Sequence, residues 1–279
     1  MTIQGFLDKL DGLSRFWGKI MAVESILKNI KRKTIVTGHY GSGKTEFSVS
    51  LAMLMSRLLN EDPSLNATTQ ENRPPVYQEN RPPGSPVLAL IDLDVINPYF
   101  RSREQKKMLE SAGVSIYGSA FEDEVTVENP ALAANLRAPL ESRSCRVIID
   151  TGGNDSGAVV LNQFSKYFKD DETTVLAIVN ANRPETSSID SAIEHIRAIE
   201  FITNLNVSFI VNNTHLLRET TVDDISKGHE FCKKICDLTK KRLLCDCYPD
   251  GIIDPGDLTG FSENLMPLGL HMRPTWLDK

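Results

Sequence analysis

The sequence predicts an α/β protein, a doubly wound, mostly parallel sheet with helices on both faces. Three observations predict it. Short apolar, β-branched runs recur along the chain. Amphipathic runs of helical spacing separate them. Acidic, amide or glycine residues follow the apolar runs at their C-terminal ends. Strands buried on both faces read as continuous apolar runs, and their alternation with helices is the pattern of a parallel sheet. Ligands of such sheets sit at the carboxyl ends of the strands.

Residues 1–30 have apolar positions such as Phe6, Leu10, Leu13, Trp17, Ile26 and Ile30 at helical spacing. They form an amphipathic helical extension. Acidic residues in its polar face favour packing on the domain over a membrane or partner surface. Thr34–Thr37 is the first strand, and the run from Glu46 onward is the helix after it. Residues 60–86 carry Glu-Asn-Arg-Pro-Pro twice, at 71–75 and 79–83, among Ser, Thr, Asn and Gln. Little in this stretch can be buried and proline cannot join a ladder, so it is a flexible surface insertion.

Pro86–Asp92 is the next strand, followed by a helix near 99–112. Strands at Cys145–Asp150, Thr173–Val179, Val207–Val211 and Arg242–Cys247 follow, with helices near 157–168, 187–201 and 221–241. One α/β domain, the 60–86 insertion included, thus spans 31–260, and 261–279 is a C-terminal tail without a readable role.

The chain has 279 residues, of which 41% are hydrophobic and 24% charged, an ordinary globular balance. A net charge of −6 argues against a nucleic-acid surface. No apolar run reaches the roughly 18 residues that would span a bilayer. Five cysteines without a secretory signal fit a reducing, cytoplasmic setting. His229, Cys232 and Cys236 share a helix face, and Cys245 and Cys247 share a strand face. Their spacing is foreign to structural zinc, so they read as core residues.

The chemistry is concentrated in Gly38-His39-Tyr40-Gly41-Ser42-Gly43-Lys44-Thr45. A strand, this Gly-x-x-x-x-Gly-Lys-Thr loop and a helix make a phosphate-binding loop. Its glycines let backbone N–H groups, including that of Glu46, turn onto phosphates at a helix N-terminus. Lys44 reaches the terminal phosphates and Thr45 supplies a magnesium ligand. Asp92 and Asp94 lie on one side of the second strand end, suited to holding metal-bound water and orienting the attacking water. Asp150 ends a third apolar strand, where it supports magnesium, and Asp150-x-x-Gly153 has the form of a switch loop whose glycine N–H meets a γ-phosphate.

With these residues in place the chain resembles the MinD/ParA-type ATPases, the group that includes the CobQ/CobB nucleotide-binding domain, over about 33–255. The resemblance rests on the loop, on Asp92-x-Asp94, on Asp150-Thr151, and on Ile178-Val179-Asn180-Ala181-Asn182-Arg183-Pro184-Glu185, with Ser187 and Ser188 following. It implies ATP and Mg2+ as ligands, hydrolysis as a molecular switch, an unidentified protein partner and a nucleotide-dependent homodimer. It also implies that Asn212 and Asn213 at a strand end, and Pro249 and Asp250, lie around the adenine. His39 stands where the family carries its signature lysine. The octapeptide is equally similar to loops of metallochaperone GTPases, while Asn212-Asn213-Thr214-His215 lacks the Asp that reads guanine. ATP is therefore favoured over GTP. A phosphoryl transferase or ligase acting on a small molecule, and a binding module that does not hydrolyse, remain the alternatives.

Overall fold

A computed structural model describes residues 23–61, 87–93, 106–118, 130–153, 155–169, 171–186, 188–262 and 264–272. The expected Asp94, the 99–105 part of the second helix, the insertion from 62 to 86, residues 1–22 and residues 273–279 lie outside them.

One sheet of eight strands organises the chain. β1 (Lys33–Gly38), β2 (Leu88–Asp92), β3 (Ser115–Gly118), β4 (Arg146–Asp150), β5 (Thr173–Val179), β6 (Phe209–Asn212), β7 (Arg242–Pro249) and β8 (Leu265–Leu268) stand in the order β3-β2-β4-β1-β5-β6-β7-β8. Every pairing is parallel. The fold class is the one that the alternating pattern predicts.

Because side chains alternate across a strand, each strand feeds two core layers. Val36, Leu90, Ile148, Ile178 and Val211 pack against α1 (23–29), α2 (Lys44–Glu61) and α3 (Lys106–Ser111). Ile35, Ile91, Ile149, Ala177 and Ile210 pack against α4 (Pro130–Glu141), α5 (Asp155–Gln163), α6 (Ile189–Thr203) and α7 (Val222–Thr239). Helix ends follow local chemistry. The Ser188 hydroxyl accepts from Ser191 N–H ahead of α6, and Thr221 with Asp224 forms a capping box on α7. Asn204 and Lys240 close these helices in left-handed conformations.

Three elements were silent in the sequence. β3 is short and half-buried, an edge strand with a weak pattern. β8 contains Pro267, which strands accept at an edge where no ladder donor is needed. It places part of the expected tail in the sheet. α4 begins at Pro130, a favoured first helical residue. In the expected N-terminal extension, the described part is core, with Val23, Ile26, Leu27 and Ile30 all buried in the α2 layer.

The order of the strands creates a crevice. β1 leads into α2 on one face, while its neighbour β4 leads into α5 on the other. The two exits diverge, leaving a gap at the carboxyl ends where ligands of such sheets bind.

Ile26→Ala will lower unfolding free energy by about 2–5 kcal/mol, read by urea denaturation, because it empties a fully buried site. An unchanged midpoint would show that residues 23–30 are dispensable to the fold.

Candidate functional site

The crevice holds the glycine loop. Gly38, Gly41 and Gly43 have φ of +148°, +72° and +83°, values open to glycine and strained for other residues. A Cβ on Gly38 would lie 2.3 Å from the Ile178 carbonyl oxygen of β5. Lys44 opens α2, is nearly buried, and donates from Nζ to the His39 carbonyl at 2.9 Å, so its ammonium lies back across the loop. Thr45 follows it in the first turn of α2.

The loop after β4 closes the other wall. Thr151 bonds the Val36 carbonyl through both its N–H (3.2 Å) and its hydroxyl (3.0 Å), clamping β4's exit to β1. Gly153 then touches the glycine loop. A Cβ there would lie 2.6 Å from Lys44 Nζ and 2.7 Å from Tyr40 N. Strand, glycine loop and helix, with an Asp-x-x-Gly loop against the lysine, make this a P-loop NTPase fold.

The carboxylates are on the α2 side. Asp92 and Asp150 are register partners on adjacent strands, and both are buried. Ser48 Oγ donates to Asp150 Oδ1 at 3.4 Å, and Thr45 lies one turn earlier on the same helix face. Two carboxylates with a hydroxyl beside a phosphate loop are an oxygen donor set suited to Mg2+, which keeps waters and takes phosphate oxygens as further ligands. The residues present fit the ion.

The flank toward β5 and β6 is built from amides and bases. Asn180 is fully buried, and its Oδ1 accepts from Asn182 N–H at 3.0 Å. Arg183 Nε donates to the Gly41 carbonyl at 2.8 Å, while its side chain stays exposed. Asn213 Nδ2 donates to the Ser42 carbonyl at 2.7 Å, bracing the loop from behind. His215 is buried, and burial first, then the Arg183 charge, lower its pKa to about 4. Its Nδ1 accepts from Leu217 N–H at 3.2 Å.

The other residues singled out in the sequence have distinct places. His39 turns its ring to His195 of α6, 5.0 Å away edge-on. Tyr40 is largely exposed on the loop crest, and the Ser42 side chain is buried. Glu46 does not face the loop with its carboxylate, which accepts from His271 N–H and Met272 N–H at 2.8 Å each. Asn212 points to the opposite sheet face from Asn213. Its Nδ2 donates to Asp246 Oδ1 (2.6 Å) and to the Ile225 carbonyl (3.0 Å), and His229 Nδ1 lies 2.8 Å from Asp246 Oδ2. Its amide is thus committed to the β7 and α7 side. Pro249 ends β7 and Asp250 is exposed beyond it, on the loop's edge of the sheet but three strands from β1.

Sequence reasoning passed over His215 as a site residue and met Arg183 only within the segment that carries the family resemblance. The signal for both was their position just after strand ends. The cysteines are core: Cys245 and Cys247 lie in one layer, Cys232 and Cys236 in the other. Among the described residues no group of three or more His, Cys, Asp or Glu side chains is placed to hold a metal.

No family model matches the chain. No curated protein matches it either. Among solved structures, it is similar to the 54 kDa signal recognition particle protein of Aeropyrum pernix K1 in complex with GDP, at 20% identity and a TM-score of 0.45. The match covers 76% of this chain and 40% of that one, so the chain spans well under half of that protein's length. Among the described residues no helix is long and apolar enough to cross a membrane.

The His215 shift fixes a pH dependence. An unfolded histidine takes its proton near pH 6.5 and the folded one only near 4, so the folded state's advantage is complete above 6.5 and shrinks as pH falls toward 4. The loss reaches roughly 3 kcal/mol at the acid limit. Thermal melting across this range will fall more steeply for the wild type than for His215→Phe. Parallel profiles would refute the assignment.

Proposed function

We propose that the chain is a magnesium-dependent P-loop ATPase of the MinD/ParA type, a cytoplasmic molecular switch whose nucleotide state controls binding of a protein partner. The observation that carries this reading is the contact of Gly153 with Lys44 Nζ and the Tyr40 backbone. It brings the Asp-x-x-Gly loop and the phosphate loop to one point, as a γ-phosphate sensor requires.

In this reading Lys44 and the backbone N–H groups of 41–46 bind the phosphates, with the α2 N-terminus adding its dipole. Thr45, Asp92 and Asp150 hold Mg2+, which when bound neutralises charge on the β- and γ-phosphate oxygens. Asp94 orients the attacking water and accepts its proton. Gly153 N–H donates to the γ-phosphate. Arrival of a phosphate draws Lys44 Nζ off the His39 carbonyl, which loosens the 39–41 crest, and loss of the phosphate returns it. That change is what a partner reads.

Adenine is favoured because 212–215 lacks the carboxylate that would accept from a guanine edge. The five described cysteines are buried and unbridged, in keeping with a reducing compartment.

Turnover of ATP and GTP by the full chain, measured with and without Mg2+ at several protein concentrations, tests the reading. Slow ATP hydrolysis is expected, falling by at least about 100-fold in Lys44→Ala, a transition-state loss of the size seen when one charge-stabilising donor is removed. A GTP preference would refute the ATP assignment. Lack of turnover despite ATP binding would replace the hydrolase with a transferase or a binding module.

Gly153→Ala adds a methyl 2.6 Å from Lys44 Nζ and 2.7 Å from a backbone nitrogen that cannot move freely. It will retain ATP binding within a fewfold and lose most turnover. Wild-type turnover in this variant would remove the sensor role from Gly153.

A further inference from the structure

Arg183 leans on the crest of the phosphate loop. Its Nε–H donates to the Gly41 carbonyl at 2.8 Å while the side chain stays exposed. Of the five N–H donors of a guanidinium this bond uses one, and the Nη amines have no hydrogen-bond partner among the described residues. The turn that carries the side chain is held firmly. Arg183 N–H donates to the Asn180 carbonyl at 3.2 Å, Thr186 N–H to the Arg183 carbonyl at 3.1 Å, and the Thr186 hydroxyl to the Asn180 carbonyl at 2.7 Å. Ala181 N–H and Asn182 N–H are taken by Thr214 Oγ1 and Asn180 Oδ1. Pro184 restricts the Arg183 backbone further. A long cationic side chain on a fixed base delivers its charge to a set place.

Gly41 makes room for it. The position is free in the Gly-x-x-x-x-Gly-Lys-Thr pattern, yet it holds a glycine at φ +72°. A Cβ there would lie 3.2 Å from Arg183 Nε and 3.3 Å from Cζ, so a side chain at 41 would press on the guanidinium. The charge also registers deeper in the site. After burial it is the second cause that lowers the His215 pKa to about 4, and His215 Nε2 lies 3.0 Å from the place of a Cβ on Gly43. Arg183 thus lies over the 41–43 stretch that leads into Lys44. Positive charge is scarce there. Lys44 is the loop's own cation, His215 is neutral near pH 7, and Asp92 and Asp150 offset the charge of a metal held between them. Those carboxylates are on the β2 and β4 side, whereas Arg183 follows β5 on the other side of β1.

We propose that Arg183 is a second phosphate-binding cation, whose Nη fork takes an oxygen of the bound triphosphate on the flank away from the metal. The step rests on the nucleotide-binding reading above. A guanidinium suits the task because its parallel N–H groups match two oxygens of a phosphate and its charge strengthens both bonds. The Nε bond to Gly41 keeps the fork at the rim of the loop before the ligand arrives, so little ordering is left to do on binding. Phosphoryl transfer depends on positioning and on stabilising charge spread over the phosphate oxygens, so a cation placed there tightens binding and speeds turnover together. A residue that merely braced the loop would need the Nε donor alone, and its positive charge would be incidental.

Titration calorimetry of the full chain with Mg2+ tests this, using ATP and inorganic tripolyphosphate on the wild type, Arg183→Gln and Arg183→Lys, beside steady-state ATP turnover. Gln keeps a neutral donor for the Gly41 carbonyl, and Lys keeps the charge without the fork. Arg183→Gln is expected to bind both ligands about tenfold or more weaker, the loss of a hydrogen bond between charged groups, and to lose kcat as well. Arg183→Lys is expected to recover part of each loss. Because Arg183 is exposed, both variants are expected to melt with the wild type. Wild-type affinity for tripolyphosphate in Arg183→Gln would overturn the proposal, leaving Arg183 a brace and the nucleotide-binding reading intact. Equal losses in the Gln and Lys variants would overturn it too, since charge would then count for nothing. Failure of the wild type to bind either ligand would overturn both readings together.

Discussion

The space between Gly153 and the phosphate loop is too narrow for a single methyl group, and much of the architecture exists to maintain it. A Cβ at Gly153 would sit inside contact distance of both Lys44 Nζ and the Tyr40 backbone. Such an approach needs β1 and β4 to be neighbours in fixed register, which their parallel pairing from Lys33 with Val147 to Val36 with Asp150 supplies. It needs the two chain exits to leave by opposite faces, or α2 and α5 would collide. It also needs the exit of β4 tied down, which Thr151 does with two bonds to one carbonyl of β1. A parallel sheet buried on both faces is a rigid frame for this, since neither wall can shift without disturbing a core layer.

Strand-end amides form a second frame. Asn180, Asn212 and Asn213 are fully buried, where an unpaired amide is costly. Asn213 braces the loop through Ser42, and Asn212 works on the opposite face, accepting from Thr214 N–H at 3.1 Å and donating to Asp246. Thr214 in turn accepts from Ala181 N–H. Gly228 makes this possible, because a side chain there would strike Thr214 and Asn212. The Asp246 carboxylate, shared between His229 and Asn212, has hydrogen-bond partners on both oxygens, which a buried charge requires. Each member of the Asp246, Asn212 and Thr214 chain thus holds its neighbour's orientation.

The sheet and the loop were legible in the sequence because they depend on local patterns. Apolar runs such as Val147–Ile149 and the Gly-Lys-Thr at 43–45 carry their meaning within a few residues. What escaped was set by distant partners. β8 contains a proline and is a strand only because β7 offers it an edge. α4 lies between stretches without a clear period. Asn212 and Asn213 looked interchangeable, yet one residue of advance along a strand reverses the face, so only Asn213 meets the loop. His215 gains its character from burial and from Arg183, and Glu46 from a turn more than two hundred residues later. Neither leaves a mark in the surrounding sequence.

Glu46 carries a further consequence. It stands two residues past Lys44, in the first turn of the helix that begins at the phosphate loop, and its carboxylate holds the backbone of His271 and Met272. Ser50, one turn on, accepts Gly269 N–H at 3.0 Å. Residues 269–272 are thereby fastened to the helix that begins at the glycine loop. A load applied to residues 269–272 is mechanically in series with that helix and reaches the first turn after the glycine loop through a single side chain.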